Sequence, residues 1–161
     1  MKAWVFGVMS LAAATAFVPA AQAALPPLVN AYVEQLVRQC GGQGVNPGLI
    51  DQFDINGDKL DDFIVDASRQ PCPTRPEAYR AAGSTVTVFL ARPDGLAYPA
   101  LQRNALSAQL ERKPGGGYSL WLNLAGEDCG SAESARCTRQ VLWTASDQRL
   151  DLAPAEGPAP R

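Results

Sequence analysis

The stretch Phe53-Asp54-Ile55-Asn56-Gly57-Asp58-Lys59-Leu60-Asp61-Asp62-Phe63-Ile64-Val65-Asp66 decides how this chain is read. Oxygen-bearing side chains fall at alternate positions, Asp54, Asn56 and Asp58, and a fourth follows at Asp62. In a tight turn, that spacing aims three side chains and one backbone carbonyl at a single point. The apolar, β-branched run Phe63-Ile64-Val65 follows without a break and reads as a strand. The stretch is therefore an oxygen-rich loop that opens a β-strand.

Six carboxylates (Asp51, Asp54, Asp58, Asp61, Asp62 and Asp66) crowd this segment against the single cation Lys59. Left alone, such a cluster repels itself and raises the pKa of its closest members. Hard cations such as calcium take all-oxygen shells of this kind. The bland alternative is a solvated Asn/Asp turn, since both residues favour turns anyway. The regular spacing of the oxygens favours the ion.

An EF-hand is the first comparison, because its loop opens D-x-[DN]-x-[DN]-G. Here the sixth loop position is Lys59 instead of Gly, the twelfth is Val65 instead of Glu, and a strand stands where a helix would follow. The run Asp54-Ile55-Asn56-Gly57-Asp58-Lys59-Leu60-Asp61-Asp62 followed by Phe63-Ile64-Val65 more closely resembles the FG-GAP/VCBS-type calcium loop of secreted β-proteins. That resemblance implies calcium as the cofactor. Its side-chain ligands would be Asp54, Asn56, Asp58 and Asp62, with Leu60 contributing its carbonyl. Lys59 again replaces a glycine and would be held at a strained positive φ. Proteins of this type usually repeat the motif around a propeller, and this chain carries one copy.

The first 23 residues read as an export signal. Lys2 gives the positive start, Trp4 to Val18 the apolar core, and Ala21-Gln22-Ala23 the small-x-small cleavage site. The core is short for a membrane span, and Pro19 ends it. The signal carries one Lys and no acid, so its loss moves the formal charge from −2 to −3. The mature chain has no basic stripe for nucleic acid and no other long apolar run. It is expected in the periplasm or outside the cell, as a single domain over residues 24–152. The Pro/Ala-rich tail 153–161 reads as disordered.

All four cysteines (Cys40, Cys72, Cys129 and Cys137) lie in the mature part. An even number in an exported chain reads as two disulfides, and four cysteines allow three pairings. The favoured pairing is Cys40–Cys72 with Cys129–Cys137, the latter stapling a short polar loop. Without C-x-x-C spacing or any histidine, zinc is disfavoured.

Pro26-Pro27 suits a helix start. Leu28, Val29, Tyr32, Val33, Leu36, Val37 and Cys40 then form one apolar stripe, and Gly41-Gly42 ends it. Beyond residue 48 the pattern turns β, with strands expected at Asp62–Ala67, Thr85–Ala91, Ala105–Glu111, Tyr118–Leu124, Arg139–Thr144 and Arg149–Leu152. Turn signals at Arg92–Gly95, Lys113–Gly117 and Ser146–Gln148 separate them. The expected fold is α+β, with the N-terminal amphipathic helix packed on one antiparallel sheet of about five or six strands. Trp121 and Trp143 fall among Leu and Val in strands and read as core.

Catalytic signals are weak. Without histidine there is no Ser-His-Asp, Cys-His or His-metal centre, and oxidised cysteines are not nucleophiles. Paired carboxylates serve glycosidases, but a general acid needs an apolar setting that a charged turn does not offer. The expected function is non-enzymatic: a calcium-binding domain acting as a structural or binding protein of the envelope, toward a protein or envelope partner. The alternative is a small periplasmic inhibitor of a hydrolase that presents an acidic or disulfide-closed loop.

Overall fold

The computed structural model describes residues 24–74, 83–114, 117–129 and 136–154. The expected signal segment 1–23 and most of the expected tail (155–161) lie outside them. The chain forms helix α1 (Pro27–Gln39) and strands β1 (Ile50–Phe53), β2 (Asp62–Asp66), β3 (Ser84–Ala91), β4 (Ala97–Ala105), β5 (Ser107–Arg112), β6 (Tyr118–Ala125), β7 (Arg136–Thr144) and β8 (Arg149–Leu152).

The strands form two four-stranded antiparallel sheets, in the orders β1-β2-β3-β4 and β5-β6-β7-β8. This corrects the expected single sheet of five or six strands beneath the helix. The fold is mostly β, and the helix covers only the first sheet. The division falls at Leu106, between β4 and β5, where the Leu106 N–H bonds across to the Asn123 carbonyl at 2.7 Å. Gly83 makes the close approach there possible. Its φ is +78°, and a Cβ would lie 2.5 Å from the Ala105 carbonyl oxygen.

Two apolar layers result. Ile64 of β2, Val86, Val88 and Leu90 of β3 and Leu101 of β4 face Leu120, Leu122, Leu124, Val141 and Leu150 of the second sheet. The opposite face of the first sheet carries Phe63, Val65, Phe89 and Ala97, which pack on Val29, Val33, Leu36 and Val37 of α1. Since alternate residues of a strand point to opposite faces, β2 is buried along its whole length. β6 is covered on one side only and alternates accordingly.

Helix α1 begins at Pro27, where a missing N–H costs nothing. It ends in a Schellman arrangement: Gly41, at φ +93°, bonds to the Arg38 carbonyl, and Gly42 bonds to that of Val37. Tyr32 fixes the helix to β3 through an edge-on ring contact with Phe89 at 5.4 Å and a 2.9 Å hydrogen bond from the Thr87 hydroxyl. Leu28, read as part of the stripe, is 47% exposed at the rim.

The two bridges are Cys40–Cys72 and Cys129–Cys137. The first joins the end of α1 to the segment after a 3₁₀ turn at Ala67–Arg69, and the second joins a 3₁₀ turn at Gly126–Cys129 to β7. Two disulfides are compatible with an extracellular or periplasmic setting. No described helix is long and apolar enough to cross a membrane.

Candidate functional site

The acidic loop connects β1 to β2, and its ends are pinned by the pair Phe53↔Asp62. Within it, side chains turn back onto the backbone. Asp54 accepts from the Gly57 N–H at 2.7 Å through one oxygen and from the Lys59 N–H at 2.9 Å through the other. The Asn56 carbonyl oxygen accepts from the Asp58 N–H at 3.0 Å, and its amide donates to Asp58 Oδ2 at 3.0 Å. Asp58 Oδ1 accepts from the Leu60 N–H at 2.8 Å. Short Asx side chains at alternate positions favour such bonds over regular structure. Gly57 and Lys59 both adopt positive φ, 87° and 70°, so Lys59 occupies a conformation better suited to glycine.

Asp62 behaves differently. It is fully buried, with its oxygens accepting 2.9 Å hydrogen bonds from the backbone N–H groups of Ile55 and Ala91. Burial pushes its carboxyl up to about 6, against the lowering effect of those N–H bonds. Charge crowding, expected from sequence to raise the closest carboxyls, contributes only the smaller push from Asp58. The row of acids also divides. Arg69 takes Asp51 at 2.7 Å and Asp66 at 3.4 Å, so neither belongs to the loop electrostatically. Asp66 further caps the 3₁₀ turn by accepting from the Ser68 N–H.

The fit to calcium follows from this geometry. Each side-chain oxygen of Asp54, Asn56 and Asp58 accepts one N–H, which orients it and leaves a second acceptor direction. Those three side chains and Leu60 share one turn. Asp62, at the ninth position, is aimed inward at Ile55 and Ala91. It could reach an ion only through an oxygen already bonded to the backbone. Among the described residues, no three His, Cys, Asp or Glu side chains converge as a metal cluster. Any ion here would therefore be drawn by the Asp54 and Asp58 carboxylates, with the Asn56 side-chain oxygen, the Leu60 carbonyl and water completing its shell, and Asp62 would join only by giving up a backbone bond.

The Trp121 reading is also corrected. Trp121 alternates with the buried Leu120 and Leu122, so it lies on the outer face of the second sheet, its indole N–H buried without a partner. Trp143 packs at the edge of the inter-sheet core, partly buried. The segment enclosed by the Cys129–Cys137 bridge, on which the inhibitor alternative relied, lies outside the described residues at 130–135. No protein-family model, curated protein or solved structure matches this chain.

Proposed function

We propose that this chain is an exported, non-enzymatic domain that holds a calcium ion at Asp54, Asn56, Asp58, Leu60 and Asp62 and serves as a structural or binding component of the cell envelope. The observation that carries the reading is the loop itself. Its Asx oxygens are oriented by the loop's own N–H groups, and Lys59 is held at φ 70° in a turn only eight residues long between β1 and β2. Bound calcium would offset the crowding of Asp54 and Asp58 and tie the β1–β2 connection to the sheet. The four bridged cysteines support an exported setting.

Among the described residues Asp62 and Asp66 are the buried carboxyls, and Asp66 is paired with Arg69, which leaves Asp62 as the drier candidate for acid catalysis. Both its oxygens, however, face backbone N–H groups inside the protein, where no substrate reaches them. Calorimetric titration of the mature protein with calcium tests the reading. One site is expected, and Asp58→Ala should abolish it. Linkage predicts a stability gain of roughly 2.7 kcal/mol when calcium stands at a hundred times its Kd. Identical thermal melts in EDTA and in millimolar calcium would overturn the proposal.

A further inference from the structure

The tip of the acidic loop, Asn56-Gly57, borders two clefts, one of about 630 Å³ and one of about 370 Å³, and Trp143 lines both. The larger also takes Tyr98 from β4, Arg92 from the end of β3 and Gln148 from the β7–β8 turn. Only the packing of the two sheets brings these residues together.

We propose that the larger cleft binds a neutral saccharide chain. Its volume falls within the range of about 300–1,000 Å³ common for ligand sites. Trp143 and Tyr98 offer flat apolar rings with a polar tip, suited to the C–H face of a sugar and to a hydroxyl beside it. The side chains of Tyr98, Trp143 and Gln148 make no hydrogen bond or ion pair with another described residue. Among the described residues the one indole N–H buried without a partner is that of Trp121, so the Trp143 N–H is not fully buried.

The charges at the cleft are already engaged. Arg92 pairs with Asp94 at 3.3 Å, and Asp58 accepts from the Leu60 N–H and the Asn56 amide. Asp58 leaves one negative charge on the wall, which disfavours an anionic ligand, whereas the free amide, phenol and indole groups suit hydroxyls. Gln148 supplies a further sign. It sits at φ 49°, where glycine would be unstrained, yet glycine would remove the amide from the cleft. Tyr98, Trp143 and Gln148 are not loop ligands, although Asn56 and Asp58, which are, form one wall of the cleft.

The test uses the mature protein carrying Trp121→Phe, in which Trp143 is the only tryptophan after residue 23. Its fluorescence is titrated in EDTA with cellohexaose, maltohexaose and chitohexaose. A saturable change is expected with at least one of them by about 1 mM, the weak end of specific binding. Tyr98→Ala and Gln148→Gly should each weaken that binding about tenfold, a change of about 1.4 kcal/mol. Gln148→Gly guards against misfolding, since it relieves a strained turn and should melt no lower than its parent. Two results would overturn the proposal: no change with any of the three sugars at about 10 mM, well beyond specific affinity, or an unchanged Kd in both variants. Calcium calorimetry is a separate measurement, so a failure of ion binding and a failure of sugar binding are told apart.

Discussion

The Asp62 carboxylate accepts a 2.9 Å hydrogen bond from the backbone N–H of Ala91, so the last residue of the acidic loop is tied to the far end of β3. Since burial raises this carboxyl from 3.8 to about 6, the fold binds its proton more tightly than the unfolded chain does. The contribution is therefore fully present below pH 3.8 and is lost as pH rises through about 6. In EDTA, the urea midpoint should fall between pH 4 and pH 6. Asp62→Asn should flatten that slope while lowering stability at every pH, because an amide offers one acceptor oxygen to two N–H donors. A slope of equal size in the variant would assign it to other groups.

Lys59→Gly should stabilise the protein. A non-glycine residue at φ 70° carries a strain of roughly 1–2 kcal/mol, offset in part by glycine's greater freedom in the unfolded chain. A net gain of about 0.5–1 kcal/mol is expected in urea melts, with tighter calcium binding in titration. Gly57→Ala, at φ 87° in the same loop, should change stability in the opposite direction.

Leu36 and Gln35 are neighbours on α1 with opposite fates: Leu36 packs against the first sheet, and Gln35 is exposed. Leu36→Ala should cost about 2–5 kcal/mol, as large-to-small core changes do, while Gln35→Ala should stay within about 0.5 kcal/mol. Chemical denaturation of the two variants makes the comparison. Small, equal effects would mean that the helix is only loosely held.

The two disulfides should differ in worth. In the chain-entropy view, the 32-residue separation of Cys40 and Cys72 contributes about 3.7 kcal/mol, and the 8-residue separation of Cys129 and Cys137 about 2.6. Paired Cys→Ser variants should order that way in thermal melts. Non-reducing peptide mapping should recover both links and no 72–129 peptide.

Much of the first sheet was legible because β2 and β3 are nearly continuous apolar runs, Phe63-Ile64-Val65 and Val86 to Leu90 with only Thr87 between. That is how a strand covered on both faces reads. β6, with Leu120, Leu122 and Leu124 set apart by Ser119, Trp121 and Asn123, shows a strand covered on one face. The contrast already implied more than one layer, but the single-sheet reading passed over it. β1 was missed because Ile50-Asp51-Gln52-Phe53 is short and puts two polar residues side by side, so it lacks the alternation that marks Arg149-Leu150-Asp151-Leu152. β4 was missed because Pro99 and the polar run Gln102-Arg103-Asn104 mask it. The loop's Asx bonds are local and followed from spacing. The inward turn of Asp62 did not, because its partner Ala91 is 29 residues away. Tyr98, Trp143 and Gln148 carry no common signal in sequence, since three different segments deliver them to one cleft.

β4 is the outer edge of its sheet, and edges are where folded chains recruit foreign strands. Pro99 removes one of its N–H donors, the register slips opposite Val88/Phe89, and Arg103 stands exposed along it. These three irregularities blunt the edge as a template for another copy, and two of them, Pro99 and Arg103, also hid the strand in the sequence. Such an edge keeps copies of the chain apart at high local concentration. Replacing Pro99 with valine would restore the missing donor and make this edge the first place for fibrillar stacking to begin.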